Sequence, residues 1–262
     1  MTLFKHELRR GLGALSIWSG TIALLMIVCL ALFPQMRGQM DQVSALFSSM
    51  GSFTAAFGMD RLNFGELMGF YGVECGNVLG LGGAFFAALI AVSALAGEER
   101  ERTAEFLLTH PVRRSRVVAE KLLSVAAQVT ALNAVAVVTA LACFAAIGEA
   151  PDWRAFWLMH GAYLAMQLQI AALCFGASAF LRRGGLGIGL GLAAALYFLN
   201  LVANIAPSAS WLKYVTPFAY ADAADIVFRG RVDGGLLALG GLYAAAAVAL
   251  AFWRYATKDI HA

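Results

Sequence analysis

Six long apolar runs, each free of Asp, Glu, Lys and Arg, divide the sequence. They cover residues 11–36, 75–97, 122–148, 155–181, 184–212 and 234–253. A helix of about twenty residues crosses a hydrocarbon core of roughly 30 Å. Allowing for helix ends, the pattern predicts six spans, near 14–33, 72–96, 119–147, 157–180, 186–206 and 235–253. The sequence lacks the alternating segments of about ten residues that membrane barrels need, so an all-α membrane protein is predicted.

The composition supports a membrane protein. Of the 262 residues, 61% are hydrophobic and 13% are charged, whereas soluble domains are about 45–50% apolar and about 25% charged. This balance excludes a disordered chain, a nucleic-acid module and most water-soluble enzymes. The net charge of +3 is too small to indicate a nucleic-acid partner. Residues 1–262 are therefore expected to form a single transmembrane domain in contact with lipid.

A further charge-free stretch, 42–59, has the length of a short span but is rich in Ser, Thr and Gln. Lys and Arg favour the cytoplasmic side of a membrane. With six spans and a cytoplasmic N-terminus, thirteen of these residues lie inside and six outside, but a seventh span gives eight inside and eleven outside. Six spans are therefore predicted, with both termini cytoplasmic and with partly helical external segments at 34–70 and 207–233.

The N-terminal segment reads as a retained anchor, because no small-residue cleavage site follows its basic residues and apolar run. Residues 1–12 can form an amphipathic helix at the membrane interface, with bases toward the headgroups. Segment 34–70 is either a structural cap over the spans or part of the substrate route. The expected location is a bacterial cytoplasmic (inner) membrane.

The connection between the second and third spans is much longer than the chain needs. Its pattern predicts a short helix, a corner enforced by Pro111 and a basic return into the third span. The consecutive apolar residues Phe106, Leu107 and Leu108 lie amid charges. A solvated loop whose bases set the topology is one interpretation. A docking surface for a partner is the other, which the apolar triplet favours.

This connection and the start of the third span carry a spaced series of acidic, apolar, proline and basic residues: Glu98, Glu99, Thr103, Glu105, Leu107, Leu108, Pro111, Arg114 and Lys121. The series resembles the signature after the second span in permease subunits of type-2 ATP-binding-cassette (ABC) exporters. Arg102 stands where members of that family commonly have glycine.

Three further segments resemble the same family and extend the likeness over the whole chain. The N-terminal FKHELRR is similar to the interfacial elbow helix, and WLKYVTPFAYADAADIVFRG is similar to the external segment before the last span. The run from Trp253 to Ile260 is similar to the C-terminal tail. The resemblance implies an exporter that works as a homodimer or heterodimer of permease chains.

The resemblance also implies a separate nucleotide-binding (ATPase) subunit, with 98–116 as the coupling segment seated in its groove. The implied contact residues are Glu98, Glu99, Glu101, Thr103, Glu105, Phe106, Leu107, Leu108, Pro111, Arg113 and Arg114. Apolar residues would be buried there, and charges at the rim would set the register. Charge reversal of Glu105 together with Arg114 is then expected to uncouple ATP hydrolysis from transport.

The sequence contains no recognisable catalytic or metal-binding constellation. None of its four lysines follows a glycine, so the phosphate loop of an ATPase is missing. The four histidines and four cysteines are scattered, without HExxH or CxxC spacing. No cofactor is expected on this chain, and ATP and Mg²⁺ are expected on the partner subunit.

Polar residues inside spans usually face a bundle interior or a wet cavity. The candidates for the substrate path are Glu74, Asn77, Tyr197, Asn200 and Asn204, in the two spans that flank the path in the family resembled. Structural hydrogen bonding is the competing role for them, and it is the favoured role for His160 and for Gln128, Asn133, Gln167 and Gln169. The lack of several central charges favours an amphipathic or hydrophobic cargo.

Small residues that recur every four positions predict close helix packing, either within one chain or between two chains. They are Gly72, Gly76, Gly80, Gly187 and Gly191, with Gly185 and Gly189 in the same span. Two other functions stay open at this point: a membrane-embedded scaffold or assembly factor without its own cargo, and a secondary transporter. The sequence does not distinguish among possible cargoes.

Overall fold

The computed structural model describes residues 2–39, 51, 54, 56–59, 61–101, 113–181 and 185–257. This part of the chain contains six helices that are long and apolar enough to cross a membrane, and no strand. They are α1 (Thr2–Arg37), α2 (Leu67–Glu101), α3 (Arg114–Ile147), α4 (Trp153–Ser178), α5 (Leu186–Ile205) and α7 (Gly234–Thr257). The predicted all-α fold with six spans is confirmed.

The connection between α5 and α7 is partly helical, as the sequence predicted. It contains two 3₁₀ helices, Pro207–Tyr214 and Pro217–Ala219, and the short helix α6 (Ala223–Arg229). Each 3₁₀ helix begins with a proline. At the first position of a helix an N–H group has no partner within the helix, so the missing N–H of proline costs nothing there. Gly230, at φ 60°, ends α6 in the left-handed conformation that a glycine adopts without steric cost.

The segment 1–12, expected to be an interfacial elbow helix, is helical from Thr2, and this helix runs into the first span without a break. Residues 2–37 form one continuous helix, because Gly11 and Gly13 weaken helical propensity without breaking the hydrogen-bond ladder. The start of α1 is also held by tertiary contact, since the backbone N–H of Phe4 donates to Glu120 Oε2 at 3.0 Å. A helix of 36 residues is about 54 Å long. It therefore exceeds the roughly 30 Å hydrocarbon core.

Helices α2 and α4 form the centre of the bundle and are the most buried of the spans, whereas α7 is the least buried. Helix α2 packs against α1, α3, α4, α5 and α6. The aromatic rings of Tyr71, Phe144 and Phe156 meet where α2, α3 and α4 converge, with centroids 5.2–6.0 Å apart. Beside them, the Tyr71 hydroxyl and His160 Nε2 are 2.9 Å apart, so His160 bridges two helices as predicted.

A second buried polar contact joins the same three helices. Asn133 Nδ2 in α3 donates to Gln167 Oε1 in α4 at 2.6 Å. Gln167 Nε2 in turn donates to the Leu79 carbonyl of α2 at 3.1 Å. These side chains have the structural hydrogen-bonding role that the sequence favoured for them, and they fix the rotation of α4 relative to its neighbours.

Charged contacts tie the chain together at each end of the bundle. At one end, the buried Lys121 of α3 pairs with Glu7 of α1, with Nζ and Oε1 3.0 Å apart. At the other end, Arg37 pairs with Glu149 across the connections that follow α1 and α3. The first end also contains the start of α3 and the end of α7. There Arg114 of α3 donates to the backbone carbonyls of Tyr255 and Ala256 in α7.

Candidate functional site

The candidate site lies between α2 and α5, where the two helices bring together polar residues from distant parts of the sequence. A cavity of about 50 Å³ is lined by Asn77 of α2, Tyr197 and Asn200 of α5, Tyr163 of α4 and Asp222. Three of the predicted path residues thus face one space. Its volume suits a few waters and is far below the roughly 300–1,000 Å³ of a drug-sized site.

Hydrogen bonds inside this cluster are sparse. The Tyr197 hydroxyl donates to Asn77 Oδ1 at 3.5 Å, which is a long contact. Asn77 Nδ2 donates to the Val73 carbonyl of its own helix at 2.7 Å. Asn200 Oδ1 is buried without a hydrogen-bond partner among the described residues. A buried amide oxygen in this condition is costly unless an ordered water or a ligand supplies the missing donor, and the cavity beside Asn200 has room for a water.

An ion-paired layer covers the cluster on the side of the α5–α7 connection. Arg61 pairs with Asp225, and its guanidinium also lies 3.6 Å from the Asp222 carboxylate. Asn204 Nδ2 donates to Asp222 Oδ2 at 3.0 Å and to the Ala56 carbonyl at 3.4 Å. Asn204 thus lies in the covering layer, one turn beyond Asn200.

The local sequence explains why Asp222 is held in place. Its Oδ1 accepts hydrogen bonds from the backbone N–H groups of Ala224 and Asp225, at 2.9 and 3.4 Å, and so caps the start of α6. The same carboxylate faces Arg61 and Asn204. A single side chain therefore starts a helix and joins three segments of the chain.

Glu74 does not share this cavity, although it was predicted alongside Asn77. It is half-buried on α2, and the residues of that helix that line the cavity are Gly72, Gly76, Asn77, Gly80 and Leu81. Glu74 lies one turn from Asn77, but it is not in the cavity wall.

The glycines of α2 allow another helix to approach closely. A Cβ added at Gly76 would lie 2.5 Å from the Tyr163 hydroxyl oxygen, and one added at Gly80 would lie 3.4 Å from the Tyr163 ring. A Cβ at Gly72 would meet Ala223 at 3.3 Å. Tyr163 therefore packs over the glycine face, and it is a lining residue that the sequence reasoning missed. The glycine repeat itself was the signal that a bulky partner had to fill this face.

The glycines of α5 divide into two faces. A Cβ at Gly189 would lie 2.7 Å from Val92 Cγ1, and one at Gly185 would lie 3.0 Å from Val92 Cγ2. A Cβ at Gly187 or Gly191 would meet nothing within 4 Å among the described residues, and both glycines are exposed. The described part of the chain therefore provides no packing partner for Gly187 and Gly191, and contact with a second chain stays a prediction.

Most of the coupling segment 98–116 lies outside the described residues. The undescribed part, residues 102–112, contains six of the candidate contact residues: Thr103, Glu105, Phe106, Leu107, Leu108 and Pro111. Glu98, Glu99 and Glu101 belong to the last turns of α2. Arg113 is exposed just before α3, and Arg114 donates to the carbonyls of Tyr255 and Ala256 at 3.4 and 3.2 Å.

The six helices and their apolar outer faces define a helical integral membrane protein, in which a polar cluster is buried between α2 and α5. The chain matches the family model described as ABC-2 family transporter protein over residues 1–260, and it belongs to that family. It is thus a permease component of an ABC transporter, as the resemblance implied. Comparison with curated proteins gives no match.

Proposed function

We propose that this chain is the transmembrane subunit of an ATP-driven exporter in a bacterial cytoplasmic membrane. It pairs with a second permease chain, identical or similar, and with a separate subunit that binds ATP and Mg²⁺. The observation that carries this proposal is the family match over residues 1–260, on a chain with six membrane-length helices. The proposed cargo is amphipathic or hydrophobic, because the polar groups in the spans are mostly neutral amides and hydroxyls.

The proposed path runs along α2 and α5, past Asn77, Tyr197 and Asn200. The observation that supports it is the cavity that these residues share, one of which, Asn200, has a buried Oδ1 without a partner in the part of the chain described. The cavity is too small for an amphipathic cargo, so passage requires α5 to move away from α2. The long contact between Tyr197 and Asn77 is one that such a movement breaks at little cost.

The proposed outer closure is the layer formed by Arg61, Asp222, Asp225 and Asn204. It links the segment before α2 to the end of α5 and the start of α6. Alternating access then consists of opening this layer when the ATPase subunit closes on ATP, and of restoring it afterwards. Glu74 is not part of this proposal, because it does not line the cavity.

Force from the ATPase subunit enters through 98–116 in this proposal. The contacts around Lys121 support a rigid link from that segment into the bundle, since Lys121 Nζ donates to Glu7 Oε1 at 3.0 Å and to the Ala94 carbonyl at 2.6 Å. Displacement of the segment then moves the end of α2 and the starts of α1 and α3 together. The end of α7 moves with them, because Arg114 of α3 donates to the backbone carbonyls of Tyr255 and Ala256.

Purification of the chain from its native membrane tests the proposal. We expect ATP hydrolysis to co-purify with it, together with a polypeptide that contains a Gly-Lys-Ser/Thr phosphate loop. Leu107→Asp abolishes both because a charge replaces a buried apolar contact, whereas the matched Leu107→Met retains both. A wild-type preparation without ATPase activity, or a Leu107→Asp preparation with undiminished activity, contradicts the proposal.

A further inference from the structure

A second and larger cavity lies in the connection between α5 and α7, and it shares no lining residue with the cavity between α2 and α5. It has a volume of about 430 Å³, which is within the range of about 300–1,000 Å³ typical of small-molecule sites. Apolar side chains, including Ile226, Val232 and Leu236, form part of its wall. The cavity can therefore hold a ligand larger than a few waters.

Three cationic side chains line this cavity: Lys213, Arg229 and Arg231. Lys213 is half-buried and Arg231 is exposed. Neither of these two makes an ion pair or hydrogen bond with another side chain in the described part of the chain. Arg229 lies 3.7 Å from Asp225 in the next turn of α6, a surface contact of small energy.

The two acidic side chains in the wall are already engaged. Asp225 pairs with Arg61 of the segment before α2. Asp233 Oδ1 accepts hydrogen bonds from the backbone N–H groups of Gly235 and Leu236, at 2.9 and 3.1 Å, and caps the start of α7. The remaining charge in the cavity is therefore positive, which favours an anionic ligand.

Exposed aromatic residues lie close in sequence to two of the cations that line this cavity. Trp211 and Tyr214 flank Lys213 in the first 3₁₀ helix and are 61% and 62% exposed, and Phe228, next to Arg229, is 72% exposed. Exposed Trp and Tyr are enriched where a membrane meets water. A cavity with cations, apolar walls and such neighbours fits an amphiphile whose anionic group lies at the level of the lipid headgroups.

We propose that this cavity binds the phosphate group of an anionic membrane lipid. Lys213, Arg229 and Arg231 contact the phosphate oxygens, and the acyl chains lie against the aromatic and apolar residues at the membrane boundary. A lipid bound there anchors the α5–α7 connection to the leaflet. The site shares Asp225 with the proposed outer closure but no residue with the cavity between α2 and α5, and its occupancy is measurable on the permease alone.

Native mass spectrometry of the purified full chain in detergent tests the proposal. The probes are phosphatidylglycerol and phosphatidylcholine with identical acyl chains. We expect phosphatidylglycerol to bind more tightly to the wild-type chain. Each cation near an anionic headgroup contributes about fivefold in affinity, so Lys213→Gln with Arg231→Gln lowers binding on the order of 25-fold. The matched control is Arg154→Gln, which removes an exposed charge at the start of α4, outside this cavity, and leaves binding unchanged.

Three results would overturn the lipid assignment. The first is equal binding of the two lipids, and the second is undiminished binding by the double variant. The third is displacement of phosphatidylglycerol by inorganic phosphate at an ionic strength where chloride does not displace it, because this assigns the cavity to free phosphate. None of these results bears on ATP coupling, so the test is independent of the proposed export function.

Discussion

The hydroxyl of Tyr197 in α5 donates a hydrogen bond to Oδ1 of Asn77 in α2, with the two oxygens 3.5 Å apart. These residues are 120 positions apart in the sequence, and their contact lies in the wall of a small cavity within the bundle. The contact is long and it joins two helices rather than two residues of one helix. A modest separation of α5 from α2 therefore opens the cavity without breaking a strong bond.

Cysteine accessibility tests the path directly. In a variant whose four native cysteines are replaced by alanine, we expect Asn200→Cys to react with a membrane-impermeant thiol reagent at a rate that depends on bound nucleotide, because the path alternates between open and closed. Asn133→Cys is the matched control, since Asn133 is buried against Gln167. Equal reactivity at the two positions, or no reactivity of Asn200→Cys in any nucleotide state, contradicts the path.

The outer closure predicts a gain of access when Arg61 is changed. Arg61→Gln removes the pairing with Asp222 and Asp225 that joins separate segments. A lost interaction of about 1 kcal/mol shifts a two-state equilibrium about fivefold toward the open state. We therefore expect Asn200→Cys to be labelled about fivefold faster in the Arg61→Gln background.

Arg154→Gln is the control for this experiment. It removes an exposed charge at the start of α4, and Arg154 lines neither cavity. Labelling that rises equally in both backgrounds shows a general loosening of the fold and rejects the closure. If the labelling rate of Asn200→Cys rises in neither background, Arg61 has only a structural role and the closure is rejected.

The ion pair between Lys121 and Glu7 predicts a large stability effect at the other end of the bundle. The Lys121 side chain is 2% exposed, so Glu7→Gln removes a carboxylate from contact with a buried ammonium. The expected loss is about 3 kcal/mol, the low end for a broken buried pair, because the glutamine oxygen still accepts a hydrogen bond. Thermal unfolding of the purified chain measures it.

Glu149→Gln provides the comparison, since it breaks the exposed pair with Arg37, whose side chains are 56% and 35% exposed. Exposed pairs contribute about 1 kcal/mol or less. Matching melting temperatures for the two variants would show that Lys121 does not join the helices as described.

The two glycine faces of α5 predict opposite effects of the same substitution. Gly189→Ala places a methyl group 2.7 Å from Val92 Cγ1 and 3.1 Å from the Ala88 carbonyl, so we expect a loss of about 1–3 kcal/mol from overpacking. Gly187→Ala meets nothing within 4 Å in the described part of the chain and gains helix propensity of up to about 1 kcal/mol. The free energy of unfolding in detergent, with each variant monomeric, measures both effects. A change of the same sign in the two variants contradicts the packing described for α5.

Much of this fold follows from the positions of the charged residues, because an ionised side chain in the hydrocarbon core is costly. A chain that does not form a closed barrel must also cross the core as helices, which satisfy their own backbone hydrogen bonds. The six spans follow from that constraint together with the distribution of Lys and Arg, which excludes the charge-free stretch 42–59. The sequence does not predict the continuity of α1 through residues 2–37, since the glycines at 11 and 13 are compatible with either a break or a continuous helix. Contact between Phe4 and Glu120 holds the straight form.

The candidate site was predictable only in part. Helical spacing placed Asn200 and Tyr197 on one side of α5, and polarity marked them as costly. The partners of Asp222 were not predictable, because Arg61 lies more than 160 positions away, and sequence spacing carries no information on such distances. Likewise, the spacing of Gly185 with Gly189 equals that of Gly187 with Gly191, and only the position of Val92 shows which face is covered.

Site-specific crosslinking from position 107 tests the central proposal, that a separate ATPase subunit drives this permease through 98–116. A photo-crosslinking phenylalanine analogue replaces Leu107 in one variant and Tyr214, exposed in the α5–α7 connection, in the other. We predict a covalent adduct with the Gly-Lys-Ser/Thr polypeptide from position 107 and none from position 214. An adduct from position 214 alone, or from neither position, contradicts the proposal.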